Sequence, residues 1–461
     1  MSLDNVLARI DADLPKSLER LFAFVRLKSI SADPVFRDEV RKAGEWCVAE
    51  LVELGFEARL DETPGHPMVI AHWTGPVKNA DRHVLFYGHY DVQPVDPMSL
   101  WRYDPFDPKI EEQDGVKVIL GRGAADDKGQ ALTILEAVRA LIAEDGSLPV
   151  RITVLLEGEE ESGSPSLLPY LEAHKSELSH DVALVCDTNM WARGRPAITA
   201  SLRGLVGEQV TITCSDRDLH SGLFGGPAWN PIRILTHVLA ELHDDDGAVT
   251  LPGFYDGVAE LPEAVWESWE ALGTTEKTFL GPVGLKTSAG EVGRSILEQV
   301  WARPTCEFNG IVGGYTGDGF KTVLPAAASA KVSFRLVVGQ DPVKIREAFR
   351  QHVRDRLPPD ATVEFHPHGG SPGLALPWDD RWLALGLSAL GEEWGVPALV
   401  IGGGGSIPVV GAFETILGMR SLLVGFGLDD DRVHSPNEKY DLESYHKGIR
   451  SWARILTKLA E

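Results

Sequence analysis

The chain has 461 residues, 43% of them hydrophobic and 24% charged, the profile of an ordinary soluble globular protein long enough for two or three domains. Lysine and arginine number 44 against 68 aspartates and glutamates, a formal net charge of −24. That surplus argues against a nucleic-acid partner, which needs a basic surface, and suits a protein that holds divalent cations.

The N-terminal run "MSLDNVLARIDADLPKSLERLFAFVRLKSIS" spaces its apolar residues as a helix does and intersperses charges among them. It has no uninterrupted apolar region of the signal-peptide kind, and no later stretch reaches membrane-spanning length. Cys47, Cys186, Cys214 and Cys306 are far apart and form no C-x-x-C pair. Cys186 and Cys214 lie in apolar, strand-like runs and are expected to be buried free thiols rather than ligands; this cysteine usage fits a reducing compartment, a cytoplasmic protein with no membrane partner.

Residues 1–200 alternate strand and helix signals. The apolar runs "HVLFYG" (83–88), "RITVLLEG" (151–158) and "DVALVCD" (181–187) predict buried strands. Between the first two, 129–146 carries Ala131, Leu135, Val138 and Ile142 at helical spacing and ends in glycine, which predicts an amphipathic helix. From about 201 the texture changes: "GEQVTITC" and "SAKVSFRLVVG" alternate apolar and polar residues, as half-exposed antiparallel strands do. Residues 341–357 predict a helix with Ile345, Phe349 and Val353 on one face, followed by a strand at 361–367. After "GGSPGLALPWDD" the α/β texture returns, with "ALVIGG" and "RSLLVGF" as strands. The fold class expected is α/β with a layered sheet, residues 1–200 and 376–461, interrupted by an inserted α+β domain, residues 201–375. "GGGG" at 402–405 lies between apolar runs, so a tight loop near a site is expected there; no Gly-Lys-Ser/Thr follows to make it a phosphate loop.

The residues that follow the apolar runs carry the chemistry. "HVLFYG" is followed by His89, "KVILGRGAA" by Asp126, "RITVLLEG" by Glu159, Glu160 and Glu161, "DVALVC" by Asp187, and "RSLLVGFGLDDDRV" by His434. Ligands of open α/β sheets gather outside the carboxyl ends of the strands. A single His or Asp after a strand is more often a cap or a surface residue, and a run of glutamates is more often a solvated turn. Two imidazoles and at least three carboxylates at one rim are harder to dismiss. Mixed nitrogen and oxygen ligands suit Zn²⁺ or Mn²⁺ rather than Ca²⁺, and a pair of such ions sharing a carboxylate is a hydrolytic arrangement. Asp91, two residues beyond His89, returns to the same side of an extended chain and is placed to orient that imidazole. No His-Glu-x-x-His and no G-x-S-x-G occur, which disfavours single-zinc helical proteases and nucleophile-elbow hydrolases.

The motifs "GHYDVQP", "LGRGAADDKG", "EGEEESGS", "VCDTN", "SDRDLHSGLFGG", "GGYTGDGFKTVLP", "SFRLV", "GGGGSIP" and "HSPNEK" resemble, in this order, those of the dinuclear metallopeptidases. That family includes carnosinase, cytosolic non-specific dipeptidase, carboxypeptidase G, aminoacylase and succinyl-diaminopimelate desuccinylase. "RDLHSG", "KTVLP" and "GSIP" are most similar to the carnosinase and non-specific dipeptidase branch.

The resemblance implies two divalent ions, Zn or Mn, with Asp126 bridging both. It gives His89 and Asp187 to one ion and Glu161 and His434 to the other. Glu160 resembles the general base that activates a metal-bridging water, and Asp91 the residue orienting His89. Glu159 has no role in that scheme and is expected to be solvated; relatives often have an apolar residue or Asp there. The inserted domain resembles a lid that also dimerises, so a homodimer is implied. In it His220 would reach the partner subunit's active site and stabilise the oxyanion. Thr322 and Arg335 would bind the C-terminal carboxylate of a small peptide, with Gly405 and Ser406 nearby. Aspartate at 187 resembles the dipeptidase and aminopeptidase members, where deacylating members typically carry glutamate. The implied activity is metal-dependent dipeptide hydrolysis. The alternatives are an N-acyl-amino-acid deacylase or carboxypeptidase on the same scaffold and, from another class, a non-catalytic peptide or amino-acid binder.

Overall fold

The computed structural model describes residues 3–405 and 407–461. They fall into two compact units. One runs to Ala200 and takes up Leu376–Ile401 and Ala412–Glu461; the other comprises Ser201–Ala375 with Gly402–Gly411. The glycine loop, expected with the outer segments, therefore goes with the inserted unit. Gly402 and Gly404 back onto Trp301 and Val300, so closely that a Cβ at 402 would lie 2.5 Å from the Trp301 Cβ.

In the first unit the strands Val77–His89, Leu148–Glu157, Val182–Val185 and Ser421–Leu423 run parallel and adjacent. Phe56–Asp61 and Met68–Trp73 extend the sheet antiparallel beyond Leu148–Glu157, and Ala197–Leu202 flanks Ser421–Leu423 on the other side. The central strands are buried nearly throughout, as parallel strands covered on both faces must be. The strand ending at His89 starts six residues before the apolar run that predicts it, because its exposed first half pairs with Leu148–Val150.

The helix Lys128–Asp145 ends on Gly146 in the left-handed conformation (φ 62°), the usual stop for a helix. It is not amphipathic in the expected sense. Gln130, Thr133 and Glu136 are buried along with Ala131, Leu135 and Val138, because Leu3–Val25 and Leu442–Leu459 pack over it. Glu136 is tolerated inside because Arg20 donates to it through Nε at 2.6 Å and again through its second nitrogen.

The inserted unit is built on an antiparallel sheet in the order Thr305–Gly313, Ala327–Leu336, Gly204–Thr213, Thr362–Ser371. Helices Pro231–Ala240 and Pro342–Arg354 pack on it. Ile345, Phe349 and Val353 face inward, and Asp341 caps the second helix by accepting the Val343 amide at 2.8 Å. Cys47, Cys186 and Cys306 are buried free thiols and Cys214 is half-buried. No helix among the described residues is long and apolar enough to cross a membrane.

Candidate metal centre

The site is assembled where the parallel strands stop. Strand Val77–His89 ends on His89 itself, which is fully buried. Strand Leu148–Glu157 is followed by Gly158 and then the three glutamates. Only glycine fits at 158, since a Cβ there would lie 2.4 Å from the Tyr90 hydroxyl. Asp187 lies two residues past Val182–Val185. Asp126 has a different origin from that expected of a residue following a sheet strand. The preceding strand, Val116–Leu120, belongs to a separate three-stranded antiparallel sheet with Lys109–Gln113 and Lys439–Asp441, and Asp126 sits in the loop entering the helix at Lys128. His434 lies in a loop eleven residues beyond Ser421–Leu423, in the left-handed conformation (φ 58°).

Two groups of side chains converge. His89 Nε2 is 3.2 Å from Asp126 Oδ1, and ligand atoms of His89, Asp126 and Asp187 all lie within 4.8 Å of one another. His434 Nε2 is 3.0 Å from Asp126 Oδ2 and 3.1 Å from Glu161 Oε2, and Asp126, Glu161 and His434 form the second group within the same limit. Asp126 belongs to both and turns one oxygen toward each imidazole. The donor set of two imidazoles and three carboxylates, with no thiolate, fits borderline divalent ions such as Zn²⁺ or Mn²⁺. Behind His89, Nδ1 faces Asp91 Oδ1 at 3.3 Å and the Asp91 carbonyl at 3.2 Å. The other Asp91 oxygen accepts the Glu161 amide at 3.0 Å, so one buried carboxylate steadies a residue of each group. Gln93 donates to Glu161 Oε2 at 2.8 Å.

Burial dominates the electrostatics. It pushes the Glu160 carboxyl up to about 8 and Asp187 up to about 7, with neighbouring carboxylates adding to both. Burial also opposes ionisation of Asp126, yet the hydrogen bonds from His434 and His89 outweigh it and hold Asp126 below the usual range. The same bonds, to Asp126 and then Glu161, raise His434 to about 10. His89 is raised well above its ordinary value, Asp126 and Asp91 prevailing over burial. Here imidazolium protons balance the carboxylates; a divalent ion takes its ligands without those protons.

Three further acidic residues outside the two groups accept backbone amides around them. Glu438 is fully buried and accepts the amides of Gly123 (2.9 Å), Ala125 (2.9 Å) and Asp126 (3.1 Å), with Arg122 Nη1 at 2.8 Å. Burial raises its pKa, against the pull of Arg122. Asp127, also buried, accepts the His89 amide at 3.1 Å. Glu159, expected to be solvated, is 2% exposed. It accepts the Ser166 amide at 3.0 Å and the amide of His66, fastening the glutamate turn to a neighbouring loop. The signal for Glu438 was present in "HSPNEK", but nothing in the sequence says which backbone it meets.

In the inserted unit His220 is exposed and accepts the Gly222 amide through Nδ1 at 2.9 Å. Leu219–His220 pairs with Val323–Leu324, and the Ser221 amide donates to the Thr322 carbonyl at 3.1 Å, so His220 and Thr322 lie on adjoining segments. Arg335 is half-buried on Ala327–Leu336, opposite Leu205. Open space lies beside the Gly405 Cα, and Ser406 lies outside the described residues.

The chain is 31% identical over 478 residues to the Cys-Gly metallodipeptidase dug1 of Schizosaccharomyces pombe, covering 100% of this chain and 99% of that one. It is 30% identical to the Beta-Ala-His dipeptidase of Homo sapiens, over 100% and 93% of the two chains. The M20 family metallo-carboxypeptidase Sso-CP2 from Sulfolobus solfataricus superposes with a TM-score of 0.82 at 30% identity, covering 96% of this chain and 99% of that one. Residues 85–458 match the family described as Peptidase family M20/M25/M40. The chain belongs to that metallopeptidase family.

Proposed function

We propose that the protein is a dipeptidase that works with two divalent ions, Zn²⁺ or Mn²⁺, which would be held by His89, Asp126 and Asp187 on one side and by Asp126, Glu161 and His434 on the other. The observation that carries this reading is the division of the Asp126 carboxylate between two imidazoles, at 3.2 and 3.0 Å. When bound, the ions supply Lewis acidity toward the peptide carbonyl and a lowered pKa for the attacking water. Glu160 takes that water's proton and delivers it to the leaving amine. Asp91 holds His89 in one tautomer and orientation through Nδ1. His220 of one subunit donates to the oxyanion in the other, and Thr322, Arg335, Gly405 and Ser406 bind the substrate's C-terminal carboxylate.

A homodimer is supported by the surface of the inserted unit. Leu223, Trp229, Ile311, Val312 and Tyr315 are all exposed, and among the described residues Thr305–Gly313 is an edge strand; exposed large apolar side chains and open strand edges favour association. Four free cysteines support a reducing, cytoplasmic setting. The likeness to a metallo-carboxypeptidase favours carboxypeptidase action on longer peptides as the second reading. The deciding experiment loads stripped protein with Zn²⁺ or Mn²⁺ and assays dipeptides, tripeptides and N-acetyl amino acids. Preference for tripeptides or acyl substrates would overturn the dipeptidase reading.

A further inference from the structure

Most guanidiniums of this acidic chain are matched by carboxylates; within the inserted unit Arg294 pairs with Glu260 and Arg350 with Glu208. Arg203 and Arg335 are exceptions. Among the described residues neither has a carboxylate partner. Arg203 is half-buried and spends its hydrogen bonds on main-chain carbonyls: Nε donates to Gly404 at 2.9 Å and Nη1 to Gln299 at 3.4 Å. Its own amide donates to the Gly403 carbonyl at 3.2 Å. Backbone and side chain thus both hold the glycine loop, and Nη2 lies 3.4 Å from where a Cβ at Gly404 would stand.

Arg203 and Arg335 also share a neighbourhood. Leu205, two residues on from Arg203, is the cross-strand partner of Arg335, and Arg203 immediately precedes that strand, which begins at Gly204 opposite Leu336. Burial lowers the Arg203 pKa to about 10, with the Arg335 charge adding to it and Glu307 opposing. Glu307 is exposed and pairs with neither guanidinium. Two guanidiniums at the same end of this sheet, neither ion-paired among the described residues, beside a loop with open space at Gly405, suit the reception of an external carboxylate.

We infer that Arg203 is a specificity-determining residue, a second guanidinium that fixes the glycine loop and, with Arg335, receives the C-terminal carboxylate of the substrate. The inference rests on the proposed assignment of Arg335 to that carboxylate.

Steady-state kinetics of the metal-loaded enzyme on a dipeptide and on its C-terminal amide test it, in the parent, R203M, R203K and R335M. R203M is expected to lose about ten- to a hundredfold in kcat/KM for the acid, chiefly through KM, with the amide within about twofold and metal content unchanged. R203K, which keeps the charge and loses the planar fork, is expected to fall between parent and R203M. If R335M abolishes the preference for acid over amide and R203M leaves it intact, the inference is overturned and the carboxylate reading stands. If R335M also leaves it intact, the carboxylate reading fails and the role of Arg203 falls with it. Equal losses on acid and amide in R203M, unrelieved by lysine, mark a loop support only and overturn the inference too. Should R203M not fold, R203K decides: a severalfold loss on the acid alone supports the proposal, and parent-like kinetics refute it.

Discussion

Glu438 Oε1 accepts the Asp126 amide at 3.1 Å, joining residues 312 positions apart in sequence. The Asp126 loop is therefore held by a buried carboxylate that also accepts two further amides of it, those of Gly123 and Ala125. E438Q sets an amide NH₂ against main-chain donors and strands Arg122. Breaking a buried pair of this kind costs on the order of 3–5 kcal/mol. Reduced metal occupancy at limiting free metal, together with a lower melting temperature, is expected; parent-like occupancy and stability would show that the loop holds its shape without Glu438.

In the proposed mechanism the neighbours Glu160 and Glu161 have different tasks. E160Q is expected to retain both metal ions and lose roughly 10²–10⁴-fold in kcat. E161Q removes a ligand charge and is expected to lose metal first. Metal analysis beside turnover separates the two, and the opposite pattern would reverse the assignment.

Glu159 is predicted to matter for stability rather than chemistry. E159A leaves the amides of His66 and Ser166 without their acceptor, and charged hydrogen bonds contribute about 1.5–3 kcal/mol each. Denaturant unfolding should shift by an amount of this order while metal content stays at the parent level. A variant as stable as the parent would return Glu159 to the class of solvated charges.

The metal-stripped protein should lose stability as pH rises. Asp187 and Glu160 have folded pKa values of about 7 and about 8 against ordinary values of 3.8 and 4.5, so between those limits the native state binds more protons than the unfolded one. His434, raised from 6.5 to about 10, acts in the same direction: its contribution is complete below 6.5 and is lost as pH climbs through about 10. Zn²⁺ or Mn²⁺ replaces those protons, so the melting temperature gained on adding metal should grow with pH from about 5 to about 10, and calorimetry should register proton release. A metal-induced gain that is flat in pH would exclude imidazolium protons as the counter-charge.

His220 tests the proposed assembly. H220A should bind metal normally and lose about 10²–10³-fold in turnover, as expected for an oxyanion donor. Mixed under subunit exchange with E160Q, it should regain activity, because each heterodimer has one site with both defects and one with neither. Verified heterodimers that remain inactive would refute action across the interface.

Much of this was legible in the chain itself. The strand runs, the helix ending at Gly146 and the His, Asp and Glu positions after them follow from apolar periodicity and from the chemistry of mixed nitrogen and oxygen ligands, which are local or compositional signals. Which backbone a buried acid meets is not local. Glu159 reads as one more charge in a run, and only the fold sets its oxygens on the amides of residues 66 and 166. The polar face of Lys128–Asp145 reads as solvent-facing until two distant helices cover it. Asp126 reads as the end of a sheet strand, yet it hangs from a separate sheet and is aimed by Glu438. Arg203 offered no motif at all; it stands out only because the tertiary structure sets it next to the strand that pairs with Arg335 and, among the described residues, leaves both without a carboxylate partner, since charge balance at a site is a property of space, not of sequence.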